Sequence, residues 1–192
     1  MSHRWLALWI FGPIGAGKSR VIERMPVADF VRVDQDMELE TQLRAAGLPL
    51  DTRQHDAAQR EAFLQLRKTI IAELWRQVPD WRAQGCDLIF ETTGNKPSLF
   101  RAEVEKAQAC GYRSLGCALR VPLAVCLERN QGRERVLDDT VVEASWRDFE
   151  RALADGTYAE IFAGDRLVIC EEAERAAEAV EAWLREMSPR PQ

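Results

Sequence analysis

Between Gly12 and Ser19 the chain reads Gly12-Pro13-Ile14-Gly15-Ala16-Gly17-Lys18-Ser19, an ungapped match to G-x-x-x-x-G-K-[ST]. Glycines in this pattern let the backbone turn tightly, so that several N–H groups converge on phosphate oxygens. The helix that follows presents its positive end to the same anion. A lysine at position 18 supplies a mobile charge for the β- and γ-phosphates, and a serine hydroxyl at position 19 is placed to ligate Mg²⁺. The expected ligand is therefore a nucleoside triphosphate, ATP with Mg²⁺. The segment sits where this chemistry requires it, directly after the apolar run Trp5–Phe11 and at the head of a helix.

Three further groups of residues have the right types for phosphoryl transfer, which needs a base for the acceptor hydroxyl, metal support and cations around the moving phosphoryl group. Val31-Arg32-Val33-Asp34-Gln35-Asp36 closes an apolar run with two carboxylates that an extended chain turns to one side. Asp34 is the candidate general base. Asp36 reads first as the N-cap of the next helix and otherwise as an acceptor-side contact, and a capping or turn role is the structural alternative for Asp34. Leu88-Ile89-Phe90-Glu91-Thr92-Thr93-Gly94 ends another apolar run with a carboxylate and two hydroxyls, so Glu91, Thr92 and Thr93 are candidate acceptor contacts. In Glu128-Arg129-Asn130-Gln131-Gly132-Arg133, Arg129 and Arg133 are four apart and would share a helix face, clamping phosphates from a lid over about 128–139. A GTPase would carry an N-K-x-D segment; Asn95-Lys96-Pro97-Ser98 lacks the aspartate.

The ordered set GPIGAGKS, VDQD, FETTG and CLERNQGRER resembles the P-loop kinases that include zeta toxins and the kinase domain of polynucleotide kinases. The resemblance spans roughly residues 5–170. It implies phosphate and Mg²⁺ roles for Lys18 and Ser19, a base at Asp34, acceptor contacts at Glu91 and Thr92, and lid cations at Arg129 and Arg133. It also implies an ATP-dependent transfer to a hydroxyl of a small molecule or nucleotide sugar. A polynucleotide 5′-hydroxyl acceptor is the alternative, and so is a non-catalytic ATP-binding module with an antitoxin-type protein partner.

Elements must hold these groups together. Apolar runs at Trp5–Phe11, Phe30–Val33, Leu88–Phe90, Ser114–Leu119 and Arg166–Cys170 read as strands. Helical periodicity fits Lys18–Met25, Met37–Ala46, Asp56–Val78, Ser98–Cys110, Leu123–Gln131, Val141–Leu153 and Glu171–Met187, with a frayed tail at Pro189–Gln192. Pro79 is expected to stop the third helix, and Thr140 with Glu143 to form a capping box at the sixth. Alternating strands and helices predict an α/β fold, a three-layer P-loop NTPase fold with a mostly parallel five-stranded sheet. One domain over residues 1–192 is expected, with a helical insertion about 36–85 capping the sheet edge where ligands bind.

Composition narrows the partners. The 192-residue chain carries 26 Lys and Arg against 31 Asp and Glu, a net charge of −5. An acidic chain is a poor generic ligand for a phosphate backbone, so nucleic acid is the less favoured acceptor. No long uncharged apolar run predicts a membrane span, and a cytoplasmic location is expected. Five scattered cysteines read as free thiols, and His3 and His55 form no cluster for zinc. The six tryptophans read as core packing. Trp75 and Trp81 are the best placed to line an acceptor pocket, whereas Arg53, Arg60 and Arg67 are expected to face solvent, or to suit an acidic acceptor if one faces the cleft.

Overall fold

Residues 5–187 are described by a computed structural model; the tail expected to fray at 189–192 lies outside them. Strands β1 (Leu6–Phe11), β2 (Val31–Asp34), β3 (Leu88–Thr92), β4 (Arg113–Leu119) and β5 (Arg166–Cys170) form one sheet in the order β2-β3-β1-β4-β5. Every neighbouring pair is parallel. The crossovers carry helices α1 (Lys18–Arg24), α2 (Gln35–Ala45), α3 (Ala57–Ala83), α4 (Pro97–Ala109), α5 (Leu123–Gln131), α6 (Asp139–Ala154) and α7 (Thr157–Ile161). Helix α8 (Ala173–Met187) follows β5.

Strand β1 lies at the centre, so both of its faces are covered and its sequence LALWIF shows no polar alternation. Its residues divide by parity. Leu8 and Ile10 join a core with Val21 and Ile22 of α1 and Val180 and Trp183 of α8. Ala7, Trp9 and Phe11 join an aromatic core on the other face with Phe90, Phe100, Phe149, Tyr158 and Phe162. Trp9 stacks on Phe90 at 3.9 Å between centroids, and its ring nitrogen donates to Ser114 Oγ at 3.2 Å. Two cores on opposite faces of a parallel sheet give the three-layer P-loop NTPase fold expected from the sequence. All five cysteines are unpaired, and no helix among the described residues is long and apolar enough to cross a membrane.

Four local expectations are corrected. Helix α3 does not stop at Pro79 but runs through it for 27 residues. The proline removes one helical hydrogen bond, and packing offsets that loss: Val78 is buried, while Trp75 stacks 5.3 Å from Phe90 and Trp81 packs on the same core. Trp75 and Trp81 therefore pack in the core instead of lining a pocket. Helix α6 begins at Asp139, because Asp138 takes the Thr140 N–H at 2.9 Å and replaces the expected Thr140–Glu143 box. Helix α2 is capped by Asp34, which accepts from Asp36 N and Met37 N, so Asp36 is not the cap. Helix α7 is five residues long, too short to leave a periodicity, yet it buries Tyr158 and Ile161.

Because all five strands run the same way, Phe11, Asp34, Thr92, Leu119 and Cys170 finish on one edge. The glycine-rich loop after β1, the turn into α2 and the turn into α4 open from that edge.

Candidate functional site

The loop Gly12–Gly17 holds Gly12, Gly15 and Gly17 at positive φ (154°, 81° and 92°). A side chain at Gly15 would run into the carbonyl of Cys126, and one at Gly17 would meet Arg129 Nη1 at 3.2 Å. The close fit against α5 thus requires glycine at both places. Ala16 N donates to Pro13 O at 3.1 Å and Ile14 N to Ser145 Oγ at 3.3 Å, so α6 also supports the bend. Lys18 is buried, and its ammonium donates to the carbonyls of Gly12 and Pro13, each at 3.1 Å. Burial pushes its pKa below the ordinary lysine value, opposed by the carboxylates of Glu91 and Asp36.

Beside the loop, the parallel register sets Asp34 opposite Glu91. Arg32 shares the face of Asp34 and joins the two acids: its Nη2 lies 2.7 Å from Asp34 Oδ2 and 2.5 Å from Glu91 Oε2. The other Glu91 oxygen accepts from Ser19 Oγ at 3.0 Å. Burial and the neighbouring Asp34 raise the Glu91 pKa, with Lys18 and Arg32 pulling the other way. Asp34 is 5% exposed, and both of its oxygens are occupied, one by the α2 cap and one by Arg32.

Asp36 is differently placed. It lines the cavity and its side chain is 45% exposed. Arg135 Nη1 lies 2.9 Å from its Oδ1 and 3.8 Å from Glu40 Oε1. Desolvation opposes its ionisation, but Arg135 and then Lys18 outweigh this and hold the carboxyl below the usual aspartate range.

A cavity of about 950 Å³ opens over the loop. Gly15, Gly17, Lys18, Ser19, Glu91, Thr92, Thr93, Arg129 and Arg133 all border it; Gly12, Pro13, Ala16 and Asp34 do not. Arg129 donates to Ala16 O at 3.0 Å. Helix α5 ends at Gln131 with Gly132 as its cap, so Arg133 lies beyond the helix, and the shared helix face expected for the two arginines is replaced by a shared cavity wall. The segment after α5 is held on both sides. The buried Asn130 pairs with both backbone groups of Leu137, at 2.8 and 3.2 Å. Thr52 N donates to Val136 O at 3.2 Å, and Arg44 pairs with Glu134. The opposite wall is a stripe of α3 comprising Phe63, Leu64, Arg67, Lys68 and Ile71, spaced as one helical face.

Arg32, Arg135 and Ser145 were not singled out in the sequence. Arg32 left a signal, a lone charge in an apolar strand two residues before an aspartate. Arg135 is one arginine among several, and Ser145 is a single hydroxyl on a helix. The Ser19 and Glu91 oxygens fit a hard cation such as Mg²⁺, which prefers a few carboxylate and hydroxyl oxygens and takes the rest from water and phosphate. Among the described residues no three or more His, Cys, Asp or Glu gather into an all-protein metal cage.

Known proteins match this arrangement at the level of fold. The toxin–antitoxin system PezAT of Streptococcus pneumoniae contributes a structure with TM-score 0.60 at 15% identity, covering 97% of this chain and 89% of that one. A shikimate kinase of Acinetobacter baumannii in complex with shikimate gives TM-score 0.55 at 18% identity, with 96% of each chain covered. The deoxyadenosine kinase of M. mycoides with bound dATP gives TM-score 0.55 at 13% identity, covering 94% of this chain and 100% of that one. No curated protein matches the sequence significantly. The AAA domain family model matches residues 8–155, from inside β1 through the end of α6, and so takes in the phosphate loop, both strand-end acids and the arginine segment. The chain belongs to the AAA domain family.

Proposed function

We propose that the protein is an ATP-dependent phosphotransferase that moves the γ-phosphoryl group to a hydroxyl of a small molecule, a nucleotide sugar among the candidates. The observation that carries this reading is the convergence of Lys18, the Ser19–Glu91 pair, Asp36, Arg129 and Arg133 on one cavity. In this reading the loop amides and Lys18 hold the β- and γ-phosphates. Ser19 and Glu91 would hold Mg²⁺, directly or through water, and the ion would supply charge neutralisation at the phosphates. Arg129 and Arg133 meet the charge that spreads over the transferring group.

The base in this scheme is Asp36 and not Asp34. A base needs a free oxygen within reach of the acceptor hydroxyl. Asp34 has none, whereas Asp36 faces the cavity and is held ionised by Arg135. As the acceptor oxygen bonds to the γ-phosphorus, its proton passes to an Asp36 oxygen, the bond to the bridging oxygen breaks and ADP leaves. Arg32 then has a structural task, holding Glu91 and Asp34 at fixed separation. The walled cavity favours a small acceptor over a polynucleotide.

The test is mass spectrometry of a cell extract incubated with the protein and γ-labelled ATP. The expected result is one metabolite class that gains phosphate with wild type and not with Asp36→Asn. Turnover by Asp36→Asn equal to wild type would remove the base assignment, and no labelled product would remove the phosphotransferase reading.

A further inference from the structure

Most of this chain's surface arginines sit against a carboxylate, as Arg24, Arg76, Arg101, Arg120 and Arg166 do. Arg67, Lys68 and Lys96 depart from that habit. They line the cavity on the side formed by α3 and the start of α4, and none has an ion-pair partner among the described residues. The acid on that wall, Glu103, is bound by the Trp75 indole N–H at 3.2 Å and forms an ion pair with none of the three. In a chain of net charge −5, cations left without counter-charges in one concavity mark a place for an anion.

The same wall exposes apolar surface. Large hydrophobic side chains exposed among the described residues are Met37, Leu64, Leu99, Val141 and Ile169; Leu64, Leu99 and Val141 all border this cavity, with Leu64 61% and Leu99 58% exposed. Leaving such side chains in water forgoes burial energy on the order of a kcal/mol or more each, and their clustering marks a surface that something apolar covers.

We propose that the acceptor is an amphiphilic anion: a hydroxyl compound with a phosphate or carboxylate group that Arg67, Lys68 and Lys96 take up, and an apolar or aromatic part that covers Leu64 and Leu99. The word acceptor rests on the phosphotransferase reading; the binding site does not. Arginine pairs with either anion in forked geometry, and lysine adds point charge, so the set accepts both chemistries.

The test is calorimetric binding to the full chain saturated with Mg²⁺ and a non-hydrolysable ATP analogue, which fills the phosphate loop. Probes are phenyl glucoside, phenyl glucuronide, phenyl glucoside 6-phosphate, and glucuronate and glucose 6-phosphate without the ring. The charged phenyl compounds should bind about tenfold or more tighter than the neutral glucoside and tighter than their ring-free counterparts. The two charged probes show which anion the site prefers. In Arg67→Ala/Lys68→Ala and in Lys96→Ala the charged advantage should fall severalfold while analogue affinity stays within about twofold. These positions are exposed, so the variants keep their fold, as a melting curve checks. Equal binding of neutral and charged probes, a charge advantage that survives in the combined variant, or no binding by any probe would overturn the proposal. ADP formation from ATP with the same probes reports on phosphoryl transfer separately. Binding without transfer leaves the anion site standing and counts against the phosphotransferase reading.

Discussion

Asp34 and Asp36 are two residues apart and chemically identical, yet the fold assigns them different tasks. One is sealed under a helix cap and an arginine, and the other opens to the cavity. Asp36→Asn should lower turnover by about 10² to 10⁴-fold with ATP affinity nearly unchanged. Asp34→Asn should instead lower the melting temperature, at a cost of about 1–3 kcal/mol for the disturbed buried pairing. The pH behaviour of Asp36 has a definite sign. Its folded pKa is depressed, so its contribution to stability is complete above the unfolded aspartate value of about 3.9 and is lost as pH falls through the lower folded value. Arg135→Met should raise the Asp36 pKa and shift the acid limb of both stability and turnover to higher pH, measured by acid denaturation and pH–rate profiles. The bend of the phosphate loop was legible because its glycine spacing is rigid. Which aspartate is sealed and which opens to the cavity was not, because that depends on which oxygen a helix end and a neighbouring strand reach first.

At the scale of elements, packing decided what local preference left open. Pro79 reads as a stop, yet α3 continues because Trp75, Val78 and Trp81 have a core to enter. Pro79 is exposed, so Pro79→Ala should restore a helical hydrogen bond without disturbing the core and raise stability by about 2–3 kcal/mol, read from denaturant midpoints. Gly116 on β4 makes the opposite case. A methyl there would come within 2.6 Å of the Phe162 ring, so Gly116→Ala should destabilise by about 1–3 kcal/mol in the same measurement. The five strands were readable from short apolar runs between helical segments, and the α5 and β5 limits Leu123–Gln131 and Arg166–Cys170 were placed to the residue. Helix α7 was not, since five residues give no period and its reason lies in the aromatic core it closes.

The whole molecule is a parallel sheet whose one edge carries the phosphate loop and both strand-end acids, and that follows from strand direction. Sequence could give that architecture because the strands are short apolar runs and each crossover is helical. It could not show that the segment after α5 is fastened to α2 and to the Thr52–Gln54 turn through Arg135, Arg44 and Val136, contacts between residues far apart in the chain. Raising salt should loosen the exposed Arg44–Glu134 pair and leave the buried end of Arg135 nearly untouched. Amide exchange over residues 132–137 should therefore quicken only slightly between low and high salt, and should quicken strongly in Arg135→Met. The length of α3 has a mechanical consequence. Its C-terminal third is seated against Phe90 and the aromatic layer, and Ile70 is buried against Leu39 and Leu43 of α2, so residues 63–71 form a beam beside the cavity that is held at two places. A rotation of one degree where Trp75 is seated would move the far end by about a third of an ångström, and the α2 contact would have to take up that shift. Trimming Trp75 would thus leave α2 as the remaining seat of the segment that carries Arg67.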